Sequence, residues 1–218
     1  MNKRTIIILT IISSVISIGY ILLEYFGIKR YLLLRFSNNS DKLIENYHKL
    51  EEHKNKVIIS LYIDENDLDK IRPTINSILD QTIKVNQIIL IMKNLNNKEP
   101  ILPKYLTKIV NVLPIGKDYG KGNNIVPLLF KEKECSTTII GIDKNVIYGK
   151  DFLEIILDEN ENNPNSIILD HNKNAILLKP KHYGCEILKR DTENYNIEWF
   201  INHTKNHKII NYNENYYY

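Results

Sequence analysis

Two runs do most to limit the fold: Val57 to Ile63 (VIISLYI) and Gln87 to Met92 (QIILIM). Neither alternates apolar with polar residues, so each needs cover on both faces, as strands of a parallel sheet do. Thr137 to Ile142 (TTIIGI) has the same character, and Val110 to Leu113 reads as a further strand, ended by Pro114. Between them lie segments of helical spacing. Arg72 to Gln81 places Ile75, Ile78 and Leu79 on one face, with Pro73 tolerated in the first turn. Tyr105 to Ile109 reads as a helical turn, Ile125 to Glu134 as a helix with Pro127 in its first turn, and Lys150 to Asp158 as an amphipathic helix. Strand and helix alternate at roughly 30-residue intervals, the pattern of a parallel sheet with right-handed crossovers. The fold class expected is therefore α/β, a mostly parallel, Rossmann-like sheet flanked by helices.

The pattern changes after Asn160. Glu161 to Pro164 reads as a turn. Ser166 to Asp170 and Ala175 to Leu178 flank Asn172-Lys173-Asn174 as a hairpin. Glu193 to Thr204 reads as a helix, Lys208 to Tyr212 as a last strand, and residues 213–218 as a frayed tail.

Thr5 to Leu23 is a run of 19 uncharged residues closed by Glu24. As a helix it spans roughly 28 Å, close to the ~30 Å hydrocarbon core of a bilayer. A cleaved signal peptide is the rival reading, but the run is long and Leu22-Leu23-Glu24-Tyr25-Phe26 offers no small-residue cleavage site. The sequence favours one transmembrane helix over residues 5–27, preceded by a short flank 1–4 and followed by a charged, partly helical stalk 28–55 and an α/β domain 56–212. That makes a single-pass membrane protein with the bilayer as one partner. Lys3 and Arg4 before the helix and Lys29, Arg30 and Arg35 after it leave the side of the membrane undetermined.

Composition excludes several classes. The formal charge of +3, from 29 basic and 26 acidic residues, is far from that of a basic nucleic-acid binder, so no nucleic-acid partner is expected. Two cysteines, Cys135 and Cys185, supply neither a disulfide scaffold nor a cysteine zinc site, and read as buried small hydrophobes. His203 and His207 stand four apart without a third ligand. No phosphate-loop signature and no Gly-x-Ser-x-Gly elbow occurs. Ile, Asn and Lys together make up 90 residues against one alanine, so an Asn or Lys counts as a signal only where its position is special.

In an open α/β sheet, ligands bind beyond the carboxyl ends of the strands. That directs attention to Tyr62, Asp64 and Glu65 after the first strand, to Gly116 through Gly122 after the third, and to Asp143-Lys144-Asn145 after the fourth. A carboxylate at Asp143 is placed to hold a hard divalent cation that neutralises a diphosphate.

Thr74-Ile75-Asn76-Ser77-Ile78-Leu79-Asp80-Gln81-Thr82, followed by Gln87-Ile88-Ile89-Leu90-Ile91, resembles the first helix and second strand of family-2-like glycosyltransferases of GT-A fold. Asp118-Tyr119-Gly120-Lys121 and Thr138 through Asp143 look like later landmarks, so the resemblance covers about residues 56–160. It implies transfer of a sugar from a nucleotide-sugar donor to a hydroxyl of a glycan, protein or lipid acceptor. The base would lie at Tyr62 and Asp64, Asp118 and Lys121 would belong to the donor site, and Mn²⁺ or Mg²⁺ would sit on Asp143 and Asn145. Inverting relatives take their general base from the second half, where Asp191 and Glu193 are the nearest candidates. The family's Asp-x-Asp is here Asp143-Lys144-Asn145, so one carboxylate is missing. A divergent enzyme and a degenerate, non-catalytic binding or structural module are the two readings this leaves.

Overall fold

The computed structural model describes residues 2–25, 27–37, 40–93, 100–132, 134–182, 197–202, 204, 206–210 and 216–217. The chain divides into two compact units, Met1–Asn38 and Asn39–Tyr218.

The first unit holds two helices, α1 (Lys3–Tyr25) and α2 (Ile28–Phe36), separated at Gly27, whose φ of 67° is left-handed. Helix α1 has a mean hydropathy of 2.6 over its most apolar window and buries no residue. It is long and apolar enough to cross a membrane, a test that a signal sequence also passes. The hydroxyls of Thr10, Ser14 and Ser17 donate to the carbonyls four residues back, at 2.9 Å each, so none of them is left without a bond in an apolar setting.

The second unit is built on a seven-stranded sheet of β1 (Val57–Ile63), β2 (Gln87–Lys93), β3 (Val110–Ile115), β4 (Thr138–Ile142), β6 (Ile167–Asp170), β7 (Ala175–Leu178) and β8 (His207–Ile210). Their order is β3-β2-β1-β4-β7-β6-β8. All neighbours pair in parallel except β7, which is antiparallel to both β4 and β6. A separate ribbon pairs β5 (Val146–Ile147) with β9 (Tyr216–Tyr217).

Alternation along β1 shows why its run is apolar throughout. Val57, Ile59, Leu61 and Ile63 join one core with residues of α3 (Asp41–His48), α4 (Arg72–Leu79) and α6 (Phe152–Asn162). Ile58 joins a second core on the opposite face with α5 (Val126–Lys131) and with Phe200 of α7 (Ile197–Asn202). Both faces are therefore dry. Helix α3 belongs to this unit: Ile44 and Tyr47 are buried, and the Tyr47 hydroxyl accepts the Val85 N–H at 3.0 Å. Burial pushes that phenol up to about 12.

The expected parallel strands β1, β2 and β4 and the β6–β7 hairpin are present. Several expectations need correction. Strand β3 runs on through Pro114, opposite Met92, because β3 is an outer strand and an outer strand tolerates a missing N–H. Helix α5 is shorter than expected, ending at Lys131, and α6 begins later and continues through Asn162, across the expected turn. Cys135 is exposed, not buried, because it sits in the turn before β4. The expected frayed tail contains β9. His207 opens strand β8, while α7 ends at Asn202, so it does not share a helix with His203. Cys185, His203 and the first part of the expected 193–204 helix lie outside the described residues.

Candidate functional site

The sheet order contains a reversal. From β1 the chain steps outward to β2 and β3, then returns to the other side of β1 as β4. Loops leaving β1 and β4 diverge there and open a crevice beyond the strands' carboxyl ends. A cleft of about 510 Å³ lies at that position, lined by Tyr62 from β1, Gly141 through Asn145 at the end of β4, and Lys121 from the loop after β3. Because β7 is antiparallel to β4, with Ala175 opposite Ile142, the hairpin turn before β7 reaches the same rim. It adds Lys173 and Asn174 to the lining, and Phe200 of α7 is also there.

Each wall is fixed by short polar contacts. The Asp118 carboxylate accepts the Gly120 N–H at 2.8 Å and the Asn123 side-chain amide at 2.9 Å, and the Asn123 amide oxygen accepts the Tyr119 N–H at 2.7 Å. Asn123 first, then the Gly120 N–H, hold the Asp118 carboxyl below its ordinary range. Gly120 turns with φ 61°, and Lys121 follows it at the surface. On β4, Gly141 is a place where a side chain has no room: a Cβ there would lie 2.6 Å from Ile125 Cγ1. At the strand's end the Asp143 N–H donates to the Asn174 carbonyl at 2.8 Å and to the buried Tyr148 hydroxyl at 2.9 Å. The Asp143 carboxylate accepts the Asn145 N–H at 2.7 Å, a local turn that leaves Asp143 exposed at the cleft. The Lys144 ammonium is held by Asp67, whose carboxyl is pulled down to about 2 by hydrogen bonds from Lys144 and then Lys70.

The stretch from Thr74 to Thr82 owes its polar residues to this loop. Thr74 Oγ1 donates to the Lys144 carbonyl at 2.6 Å. Ser77 Oγ accepts the Tyr148 N–H at 3.0 Å. Gln81, 3% exposed, donates through Nε2 to the Gly149 carbonyl at 2.6 Å and the Ser77 carbonyl at 2.8 Å, and accepts the Leu153 N–H at 2.9 Å. Thr82 Oγ1 donates to Glu154 at 2.9 Å. These bonds pin α4 to the whole segment from the end of β4 to the start of α6, and so set where Asp143 stands.

Of the residues singled out from sequence, Tyr62, Lys121, Asp143 and Asn145 line one cleft. Asp64 and Asp118 are not in its lining; Asp64 accepts the Tyr62 hydroxyl at 3.3 Å, and Asp118 organises the loop that carries Lys121. Burial first, then the charges of Asp64 and Asp118, raise the Tyr62 phenol above its ordinary value. Asp191 and Glu193 lie outside the described residues. Sequence reasoning missed Lys173, Asn174 and Phe200. The hairpin itself was legible, and placing it antiparallel beside β4 would have brought its turn to the rim.

Mn²⁺ and Mg²⁺ take hard oxygen ligands, carboxylates foremost. Among the described residues no group of three or more His, Cys, Asp or Glu side chains comes together. The described lining supplies one carboxylate, Asp143, and beside it neutral amides, those of Asn123, Asn124, Asn145 and Asn174, in the company of Lys121, Lys144 and Lys173. That donor set does not fit a divalent-cation centre.

The α/β fold is similar to that of a solved glycosyltransferase. It matches the glycosyltransferase GlyE of Streptococcus pneumoniae TIGR4 with a TM-score of 0.50 at 12% identity, over 72% of this chain and 45% of that one. TarS of S. aureus matches at TM-score 0.39 and 13% identity, over 53% of this chain and 21% of that one. Residues 1–349 of TarS in complex with UDP match at 0.40 and 15%, over 53% and 35%. The chain spans less than half the length of each of these proteins. No protein-family model and no curated protein matches it in sequence.

Proposed function

We propose that the chain binds a nucleotide-activated sugar in the β1/β4 cleft and transfers the sugar to an acceptor hydroxyl, from a site anchored to a membrane by α1. The observation that carries this reading is the position of the cleft, at the reversal of strand order, in a sheet of glycosyltransferase-like fold. Tyr62 offers a half-buried ring at the end of β1 for the base, and the rim beyond β4 is left for the diphosphate and sugar. In the transfer the bond from the anomeric carbon to the diphosphate oxygen breaks. The acceptor oxygen bonds that carbon, its proton passes to a general base, and the nucleoside diphosphate leaves with the electron pair. Asp191 and Glu193 are the residues proposed as base.

One observation favours the second reading, a binding module without catalysis. The described lining holds no carboxylate besides Asp143 to act as base. A single experiment addresses both. The full-length chain in mild detergent is titrated with UDP-, GDP- and dTDP-sugars, then incubated with glycan, peptide and lipid acceptors while release of nucleoside diphosphate is followed. Saturable binding of one donor class with acceptor-dependent release is the expected result. Binding without release under every acceptor selects the module, and failure of the whole panel to bind refutes the donor site.

A further inference from the structure

Lysines outnumber carboxylates in the described lining of the cleft. Among the described residues four charged side chains line it: Lys121, Asp143, Lys144 and Lys173. Lys144 is neutralised by Asp67. Lys121 and Lys173 are exposed and have no acidic partner among the described residues. Two lysines not paired with an acid therefore line the cleft against one carboxylate among the described residues. A diphosphate entering between these two lysines is attracted by both ammonium groups.

Both lysines are placed by built turns. Lys121 lies in a helical turn (Gly120–Gly122) closed by the Asp118 and Asn123 bonds. Lys173 has φ 58°, a left-handed conformation unusual for a residue with a side chain. The turn maintains it there through the Lys173 N–H to the Asp170 carbonyl at 2.9 Å and the Asn174 N–H to the Asp170 carboxylate at 3.4 Å. Asp170 is itself fully buried at the end of β6. The two ammonium groups thus come from opposite sides of β4, one from the loop after β3 and one from the hairpin before β7.

Resting on the donor-site reading above, we propose that Lys121 and Lys173 clamp the donor's diphosphate directly, and that the site works without a divalent cation. The lysines supply the positive charge that the missing second carboxylate would have recruited through a metal. They also stabilise the charge that develops on the departing diphosphate. Asp143, held by its turn to Asn145, then bounds the sugar side of the cleft rather than coordinating an ion.

The test is calorimetric titration of the full-length chain in mild detergent with UDP, and with inorganic pyrophosphate as a base-free probe, in EDTA and in Mn²⁺. Wild type should bind UDP equally well in both media, with affinity falling as salt is raised. Lys121→Ala and Lys173→Ala should each weaken UDP and pyrophosphate about tenfold, and the double variant more. Both positions are exposed, so unfolding is not a competing explanation, and an unchanged far-ultraviolet dichroism spectrum checks it. Binding that needs Mn²⁺ overturns the inference and leaves the donor site standing. Binding in EDTA that neither lysine variant weakens also overturns it. No binding in either medium takes down the donor site and the inference together.

Discussion

Replacing Gln81 by leucine tests whether the α4 stretch acts by pinning the β4 exit. Gln81 is buried and makes three bonds, to Ser77, Gly149 and Leu153. Leucine fills similar space and makes none. The Leu153 N–H lies in the first turn of α6, where no carbonyl within the helix reaches it, and the Ser77 carbonyl lies in the last turn of α4, where the Gln81 N–H turns to Ile78 instead. The Gly149 carbonyl keeps the Phe152 N–H at 3.3 Å. Two groups are therefore orphaned, at about 1–3 kcal/mol each, for a loss of about 2–6 kcal/mol. With a urea slope of about 2 kcal/mol/M for a domain of ordinary size, the unfolding midpoint should fall by about 1–3 M at unchanged slope. The assay is urea unfolding of the full-length chain in detergent, followed by tyrosine and tryptophan fluorescence. A midpoint within about 0.3 M of wild type would refute the reasoning, because it would mean that water or a shifted backbone satisfies both orphaned groups at no cost.

Three further outcomes are expected. Residues of α1 should remain on the protein and keep it in the membrane through alkaline carbonate washing; a product beginning after residue 25 would make α1 a signal sequence instead. Asp67 has its carboxyl lowered from 3.8 to about 2 in the folded chain, so its stabilisation is complete above pH 3.8 and disappears as pH falls towards 2. The stability gap between wild type and Asp67→Asn should shrink over that window, and a gap constant with pH would contradict the clamp on Lys144. Gly141→Ala sets a methyl 2.6 Å from Ile125 Cγ1 and should cost about 1–3 kcal/mol by thermal unfolding, while an unchanged melting temperature would show that Ile125 moves freely.

The parallel strands were legible because burial on both faces leaves a direct mark, an apolar run without alternation, as in Val57 through Ile63. What depended on neighbours was not. Pro114 reads as a strand end unless one knows that β3 is an outer strand, and that is a property of sheet order. Helix α6 carries Asn160 and Asn162 near its end, poor helix formers, and is held by packing of Phe152, Leu153, Ile156 and Leu157 rather than by propensity. For the cleft, Tyr62, Lys121, Asp143 and Asn145 were found because they lie at or beyond the carboxyl ends of strands, where local sequence and the carboxyl-end rule suffice. Lys173 was passed over as one lysine among many between two asparagines. Its place is set by the reversal of β7, and no local pattern records that. The contacts of Ser77 and Gln81 were likewise invisible, since a recognised stretch does not say what its side chains touch.

The insertion of β7 also decides where the sheet stops. Without β6, β7 and β8, strand β4 would be the border of the sheet, five residues with every one buried in the folded chain. An open apolar border of that kind pairs with the next chain it meets. The hairpin and β8 move the border outward to a strand of four residues in which His207, Lys208 and Ile209 are exposed and Lys208 is held by Glu159 at 2.5 Å. A nascent or clipped chain ending before residue 167 would present β4 uncovered and associate with its own copies. The last quarter of the chain thus covers the border that the first parallel half leaves open.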